Sequence, residues 1–342
     1  MTVLVSGTAT MALMGAAHAT DISGAGSTFI YPVFSKWADA YHTKTGVGMN
    51  YQSIGSGGGI KQIESKTVDF GATDKPLEAA ELDKYGMIQF PMIMGGIVPV
   101  VNIPGIKAGQ MKLTGELLAD IYLGNITNWN DPKIAAVNPG LKLPNLAIAT
   151  VYRSDGSGTT YNFTYYLCEM SPEFKSKVGS DTAVQFPVGL GGKGNEGVSA
   201  FTSRTSGAIG YVEYAYALQN KLVYADMKNH DGNFVEPTFA NFAAAAANAD
   251  WVHAPNFKLI LANQPGANSW PMTASTFVLF YKKQDKPDVA KTAMKFFDYS
   301  LKQGQDMAKS LGYIPLPTNV VQLIESNWSK DVKDASGKPL WP

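Results

Sequence analysis

Arg153-Ser154-Asp155-Gly156-Ser157-Gly158-Thr159 gathers a guanidinium, hydroxyls and small-residue backbone amides around one point. The apolar run Ala147 to Val151 before it reads as a buried strand, and the aromatic and Leu-rich run Tyr161 to Glu169 after it reads as a helix packed on a core. Ser157 therefore falls near a helix N-terminus. The first N–H groups of a helix lack intrahelical partners and its dipole favours negative charge, so such a turn can hold an oxyanion without a metal. Glycine at 156 and 158 lets backbone approach closely.

The same device recurs twice. Gly26-Ser27-Thr28-Phe29 heads an amphipathic segment reaching about Thr45, with Phe29, Val33, Phe34, Trp37 and Tyr41 at helical spacing. Met49 to Ile54 reads as a strand, Gly55-Ser56-Gly57-Gly58-Gly59 as a tight turn and Ile60 to Ser65 as a short helix. Each hydroxyl alone is an ordinary helix cap. Three such starts and one arginine together are the donors that a dehydrated tetrahedral oxyanion needs.

Composition sets the frame. The 342 residues, 45% apolar and 16% charged, can bury a large core, and the length suggests two lobes. Formal net charge is zero and no long Lys/Arg run occurs, which leaves a nucleic-acid surface or a polybasic membrane patch unsupported. Residues 1–19 are apolar, uncharged and end Ala17-His18-Ala19, the pattern of a secretory leader. Export from the cytoplasm is expected. Cys168 is the only cysteine, so no intramolecular disulfide can form, and it reads as a buried core residue.

Strand-like runs at Met49 to Ile54, Val68 to Ala72, Ile97 to Val101, Ala147 to Val151, Ala208 to Val212 and Thr276 to Tyr281 alternate with helical patterns. That is an α/β protein, with sheets expected to be mostly parallel. The alanines of Phe242 to Ala249 suit a helix. Crossings between lobes near Gly95 to Asn102 and near Trp270 to Phe277 would make the first lobe discontinuous, 20–96 with 275–342, around a second lobe of 97–274. The helix after Pro287 would then pack back on the first lobe, near Tyr313 to Pro317.

Gly189 to Gly194 spells G-x-G-x-x-G but follows Phe186-Pro187 late in the chain, which predicts a mobile or cleft-edge loop rather than a dinucleotide turn. Walker, H-E-x-x-H and G-x-S-x-G signatures are absent. His42, His230 and His253 sit among polar or helix-end residues, and no metal site is built from them.

Taken in order, Gly24-Ala25-Gly26-Ser27-Thr28-Phe29, Gly55-Ser56-Gly57-Gly58, Asp69-Phe70-Gly71-Ala72-Thr73-Asp74 and RSDGSGT at 153–159 resemble the periplasmic phosphate-binding proteins of ABC transporters. The likeness continues through Ile121 to Gly124, Gly189 to Asn195 and Gly207 to Tyr214, and covers nearly all of 21–342. It implies a two-lobed periplasmic-binding-protein fold of type II, with phosphate enclosed between the lobes by hinge closure and delivered to a membrane permease. It also implies ligand contacts from Thr28, the backbone amide of Phe29, Ser56, Asp74, Arg153, Ser157, Gly158 and Thr159, with Asp155 orienting Arg153. A monomer in the periplasm, without cofactor, metal or nucleic acid, completes the expectation. Ser27, Gly57 and Thr73 depart from residues common among close relatives, and Gly57 is expected to add backbone freedom to its turn.

Asp74 differs in kind from the other groups. An ionised carboxylate only accepts hydrogen bonds, so in a closed cleft it pairs with an anion that brings a proton, as phosphate does and sulfate at neutral pH does not. Arsenate, of the same shape and also protonated, would be rejected poorly. The rival is a secreted phosphoryl-transfer enzyme or phosphatase with Ser157 or Ser56 as nucleophile beside Arg153 and Asp74, which needs an activating base or metal that the sequence does not reveal. A same-fold binder of sulfate or molybdate is a third reading, disfavoured by Asp74.

Overall fold

A computed structural model describes residues 21–342; the leader expected over 1–19 lies outside them. Nine strands form one curled sheet. They are β1 (Ile22–Gly26), β2 (Met49–Ser53), β3 (Phe70–Thr73), β4 (Met87–Val101), β5 (Ala149–Arg153), β6 (Leu190–Gly192), β7 (Ala208–Glu213), β8 (Val223–Tyr224) and β9 (Thr273–Tyr281). Their order is β2-β1-β3-β9-β4-β7-β5-β6, with β8 also paired to β4. The helices that matter to the site are α1 (Tyr31–Thr45), α2 (Ser56–Glu64), α3 (Gly158–Met170), α4 (Gly194–Arg204) and α5 (Pro287–Lys302).

The sheet is mixed rather than mostly parallel. Pairs β1–β2, β1–β3, β5–β6 and β5–β7 are parallel, whereas β4 is antiparallel to β9 and β7, and β9 is antiparallel to β3. The reason lies in the crossing. β4 pairs with β9 over Met87–Gly96 and with β7 over Ile97–Val101, so one strand serves both lobes and β9 returns the chain beside it. Strands that leave and return must run in opposite senses, while the βα units on either side keep the parallel arrangement usual for a strand–helix–strand crossover.

Aromatic packing explains the close fit at the crossing. A Cβ on Gly96 would lie 2.2 Å from Phe242, and one on Gly95 would lie 3.0 Å from Phe29. Phe34 packs edge-on to Tyr51, Phe70 and Phe296, tying α1 to β2, β3 and α5. The helix from Pro287 therefore does pack on the first lobe, and Ile314 bridges Met94 of β4. Buried side chains of both lobes form one continuous cluster, and a second, smaller one around Ile63, Leu82 and Leu279 lies beneath α2.

Several boundaries differ from expectation. The crossing strand begins at Met87, not Ile97, because Met92, Ile93 and Met94 are all buried and show no alternation to mark a strand. Arg153 is the last residue of β5 instead of part of the turn, and Gly57, Gly58 and Gly59 lie inside α2 instead of before it. Cys168 is half-buried, packed at the margin of the core, since its helix exposes that flank.

Candidate functional site

Four chain reversals bring the site together. Gly26 ends β1 with φ +143°, a conformation that suits glycine, and a Cβ there would lie 2.0 Å from the Ala72 carbonyl oxygen. Thr28 and Phe29 follow, buried. Gly55 (φ +85°) turns β2 into α2 and sets Ser56 at its first residue. Asp74 follows β3 directly. From the second lobe, β5 delivers Arg153 and the turn delivers Ser157, which caps α3 by accepting the Thr160 N–H at 3.0 Å.

The eight residues expected to contact a ligand are all buried, Asp155 is partly exposed, and hydrogen bonds link six of the eight in two groups. In the first, Ser56 Oγ accepts N–H bonds from Asp74 at 3.0 Å and from Gly158 at 3.1 Å, and lies 3.4 Å from Asp74 Oδ2. In the second, Arg153 Nη1 donates to Thr159 Oγ1 at 3.3 Å, and Asn195 Nδ2 donates to Thr159 Oγ1 at 3.3 Å and to Thr28 Oγ1 at 2.7 Å. The Phe29 amide, expected to face a ligand, donates to Ser27 Oγ at 3.0 Å. The Gly158 amide is likewise held inside the protein by Ser56.

The lobes meet face to face here. Gly57 N–H donates to the Gly156 carbonyl at 2.9 Å, and a Cβ on either glycine would sit about 3 Å from the other's Cα. Asn162 Nδ2 donates to the Asp74 carbonyl at 2.7 Å, and Lys75 pairs with Asp181 at 2.8 Å. Gly57 is thus fixed in a helix against the opposite lobe, which replaces the expectation of a freer turn.

Electrostatics separate two roles. Arg153 Nε and Nη2 make a two-pronged bond to Asp155 Oδ1 and Oδ2 at 2.8 and 2.5 Å, leaving the Nη1 edge for the cleft. Burial alone would lower the Arg153 pKa, but the Asp155 hydrogen bonds and charge raise it above the usual arginine value. Burial works against the Asp155 carboxylate too, and Arg153 with the Gly194 N–H at 2.9 Å more than offsets it, so its pKa is lowered. The pair is fixed as an ion pair whose charges offset each other.

Asp74 behaves in the opposite way. Burial pushes its carboxyl up to about 6, against the lowering effects of Ser27, Thr276, Arg153 and Ser56. Ser27 and Thr276 hydroxyls both donate to Oδ1, each at 2.6 Å, which leaves Oδ2 with only the long Ser56 contact. A carboxylate with one oxygen saturated and the other open can accept one more hydrogen bond.

Three contributors escaped sequence reasoning. Ser27 was read as a departure, yet it holds Asp74. Thr276 comes from β9, whose Thr273, Ser275 and Thr276 precede an apolar run and carry no signal of which one reaches the site. Asn195 belongs to the glycine-rich stretch expected to be a mobile or cleft-edge loop. Instead Leu190–Gly192 is an edge strand paired with β5 and Gly194 opens α4, because Gly192 sits close against Gly197 backbone and Gly194 (φ +70°) makes the corner. Strand–glycine–helix was the available clue.

Comparison with known proteins places the chain in a family. The family model of the PBP superfamily domain matches residues 14–303. Phosphate-binding protein PstS of Pasteurella multocida is 52% identical over 324 residues, covering 95% of this chain and 94% of that protein. PstS of Methanocaldococcus jannaschii is 35% identical, covering 87% and 83%. The chain therefore belongs to the PstS family of phosphate-binding proteins within the PBP superfamily. The same fold occurs in a putative phosphate ABC transporter substrate-binding protein with bound phosphate from Clostridium perfringens, with a TM-score of 0.64 at 21% identity, covering 87% of this chain and all of that one.

Proposed function

We propose that this protein captures inorganic phosphate between its lobes and delivers it to the permease of an ABC transporter, as a periplasmic monomer that catalyses no reaction. One observation carries the reading. Asp74, buried with one open carboxylate oxygen, stands among hydroxyl and N–H donors brought from both lobes. Donors suit any oxyanion, whereas the lone acceptor suits one that carries a proton. The names of the relatives point the same way, and one structure of like fold is described as a high affinity periplasmic phosphate-binding protein.

In this reading Thr28, Phe29 N–H, Ser56, Asp74, Arg153, Ser157, Gly158 N–H and Thr159 contact the ligand. Opening frees the Gly158 amide from Ser56 of the other lobe, and an entering oxyanion takes the place of Ser56 Oγ there and of Ser27 Oγ at the Phe29 amide. The moving bodies are 20–96 with 275–342 against 97–274, and bending in β4 and β9 joins them. Among the described residues no helix is long and apolar enough to cross a membrane.

The test is isothermal titration of the phosphate-stripped protein at neutral pH. Tight one-to-one phosphate binding with no response to sulfate is expected, and equal responses overturn the reading. Steady release of phosphate from an ester under metal-free conditions would instead establish the enzymatic alternative.

A further inference from the structure

Asn195 is fully buried and touches both lobes, yet nothing so far gives it a task. We infer that Asn195 is a positioning residue that fixes the hydroxyl protons of Thr28 and Thr159 toward the cleft, so that both threonines serve only as donors to a bound oxyanion. The inference rests on the oxyanion-binding reading above.

The argument is a count of protons. The Glu213 backbone N–H can only donate, and it lies 3.0 Å from Asn195 Oδ1, so the amide orientation is settled. Nδ2 then points its two hydrogens at Thr28 Oγ1 and Thr159 Oγ1. The backbone N–H of Asn195 adds a second bond to Thr28 Oγ1 at 3.3 Å, and Arg153 Nη1 adds a second to Thr159 Oγ1. A hydroxyl oxygen has two lone pairs and one proton. With both lone pairs engaged, each threonine has only its O–H left to offer, and neither group behind it can receive that proton.

The consequence is selectivity. A free hydroxyl can rotate to accept from a protonated ligand oxygen, which blurs the distinction between anions with and without a proton. Held by Asn195, the two threonines cannot, and Asp74 remains the group that reads the ligand proton. Thr28 belongs to the first lobe and Thr159 to the second, so one amide sets both sides. Glu213 holds that amide to β7, next to the crossing strand β4.

The experiment titrates phosphate, then sulfate, into the full-length mature protein and into Asn195→Ala, Thr28→Val and the double variant. Wild-type binding first establishes the underlying reading; no phosphate response there overturns that reading by itself. Given binding, Asn195→Ala is expected to weaken phosphate about tenfold or more, by the scale of one lost buried hydrogen bond, and to narrow the phosphate-to-sulfate ratio. In the Thr28→Val background the same change is expected to have at most half that effect on a logarithmic scale. Unaltered binding by Asn195→Ala, or equal losses in both backgrounds, would overturn the inference.

Asn195→Asp guards against a variant that does not fold, since it keeps the acceptor for the Glu213 N–H and the shape. At pH 8 its carboxylate turns the threonine protons inward, and binding is expected to fall further than in Asn195→Ala. The charged or titratable groups on its bonding partners or beside it in the chain are Arg153, Asp155, Lys193, Glu196, Glu213 and Tyr216. Relative to wild type at the same pH, affinity should recover by several-fold at pH 5 as the new carboxyl protonates. A ratio to wild type that does not change with pH counts against the proposal.

Discussion

At the scale of single residues, Asp74 carries the sharpest expectations. Its carboxyl titrates at about 6 instead of 3.8 because burial outweighs four favourable partners. A carboxyl with a raised folded pKa binds more protons folded than unfolded, so its contribution to stability is present below 3.8 and is lost as pH rises toward 6. Asp74→Asn should therefore stabilise the ligand-free protein at pH 8 by up to about 3 kcal/mol, two pKa units at 1.36 kcal/mol each, and by nothing at pH 3.5. Denaturant melts at the two pH values check this; a variant less stable than wild type at pH 8 contradicts it. The same substitution turns the open acceptor into a donor. Sulfate binding should appear in Asp74→Asn at neutral pH, and in the wild type as pH falls below 6, both by titration calorimetry. Sulfate silence in both cases would mean that another group reads the ligand proton.

Among secondary-structure elements, the first residue of α3 sets how closely the lobes approach. A Cβ on Gly158 would lie 2.5 Å from both Asp74 Cβ and Ser56 Oγ, so Gly158→Ala should prop the cleft open. Phosphate affinity is expected to fall by about tenfold or more, the scale of a lost hydrogen bond or two, while the ligand-free unfolding midpoint moves far less. A second expectation concerns the end of β7. Glu213 is wholly buried, with Oε1 unpartnered and Oε2 accepting from Ala215 N–H and Tyr313 O–H at 2.9 and 2.8 Å. Burial raises its pKa well above the usual glutamate value. By the same sign argument, Glu213→Gln should raise the melting temperature above pH 7 by roughly 2 °C or more, with the gain disappearing in acid.

Elements were legible where pattern met period. The helix at Phe29 to Thr45 and the strands at Met49, Ala208 and Thr276 stood out because one face or a whole run is apolar. The first ten residues of β4 and the short strand β6 were not, since a fully buried run and a glycine-rich edge lack alternation. The site divides along the same line. Most residues beside a glycine turn announced themselves; Asn195 follows such a turn too but was hidden by the run of glycines around it, whereas Thr276 enters from an apolar strand and is recognisable only once the chain is folded.

For the molecule as a whole, one sheet spans both lobes and two antiparallel strands join them. A joint made of two strands permits bending with little rearrangement of either core. Small-angle scattering should show compaction when phosphate is added to the stripped protein, and an unchanged radius of gyration would contradict closure.

Where the lobes touch, the Gly57 and Gly156 backbones come together with no side chains between them. Such a seam has no elastic give: a separation of about an ångström already ruptures a hydrogen bond, and the Gly57–Gly156 and Ser56–Gly158 bonds part together. On the phosphate-carrier reading proposed above, unloading is expected to be abrupt. In that reading a transporter that grips both lobes would need only a short stroke to empty the protein, and the cargo would leave in one step.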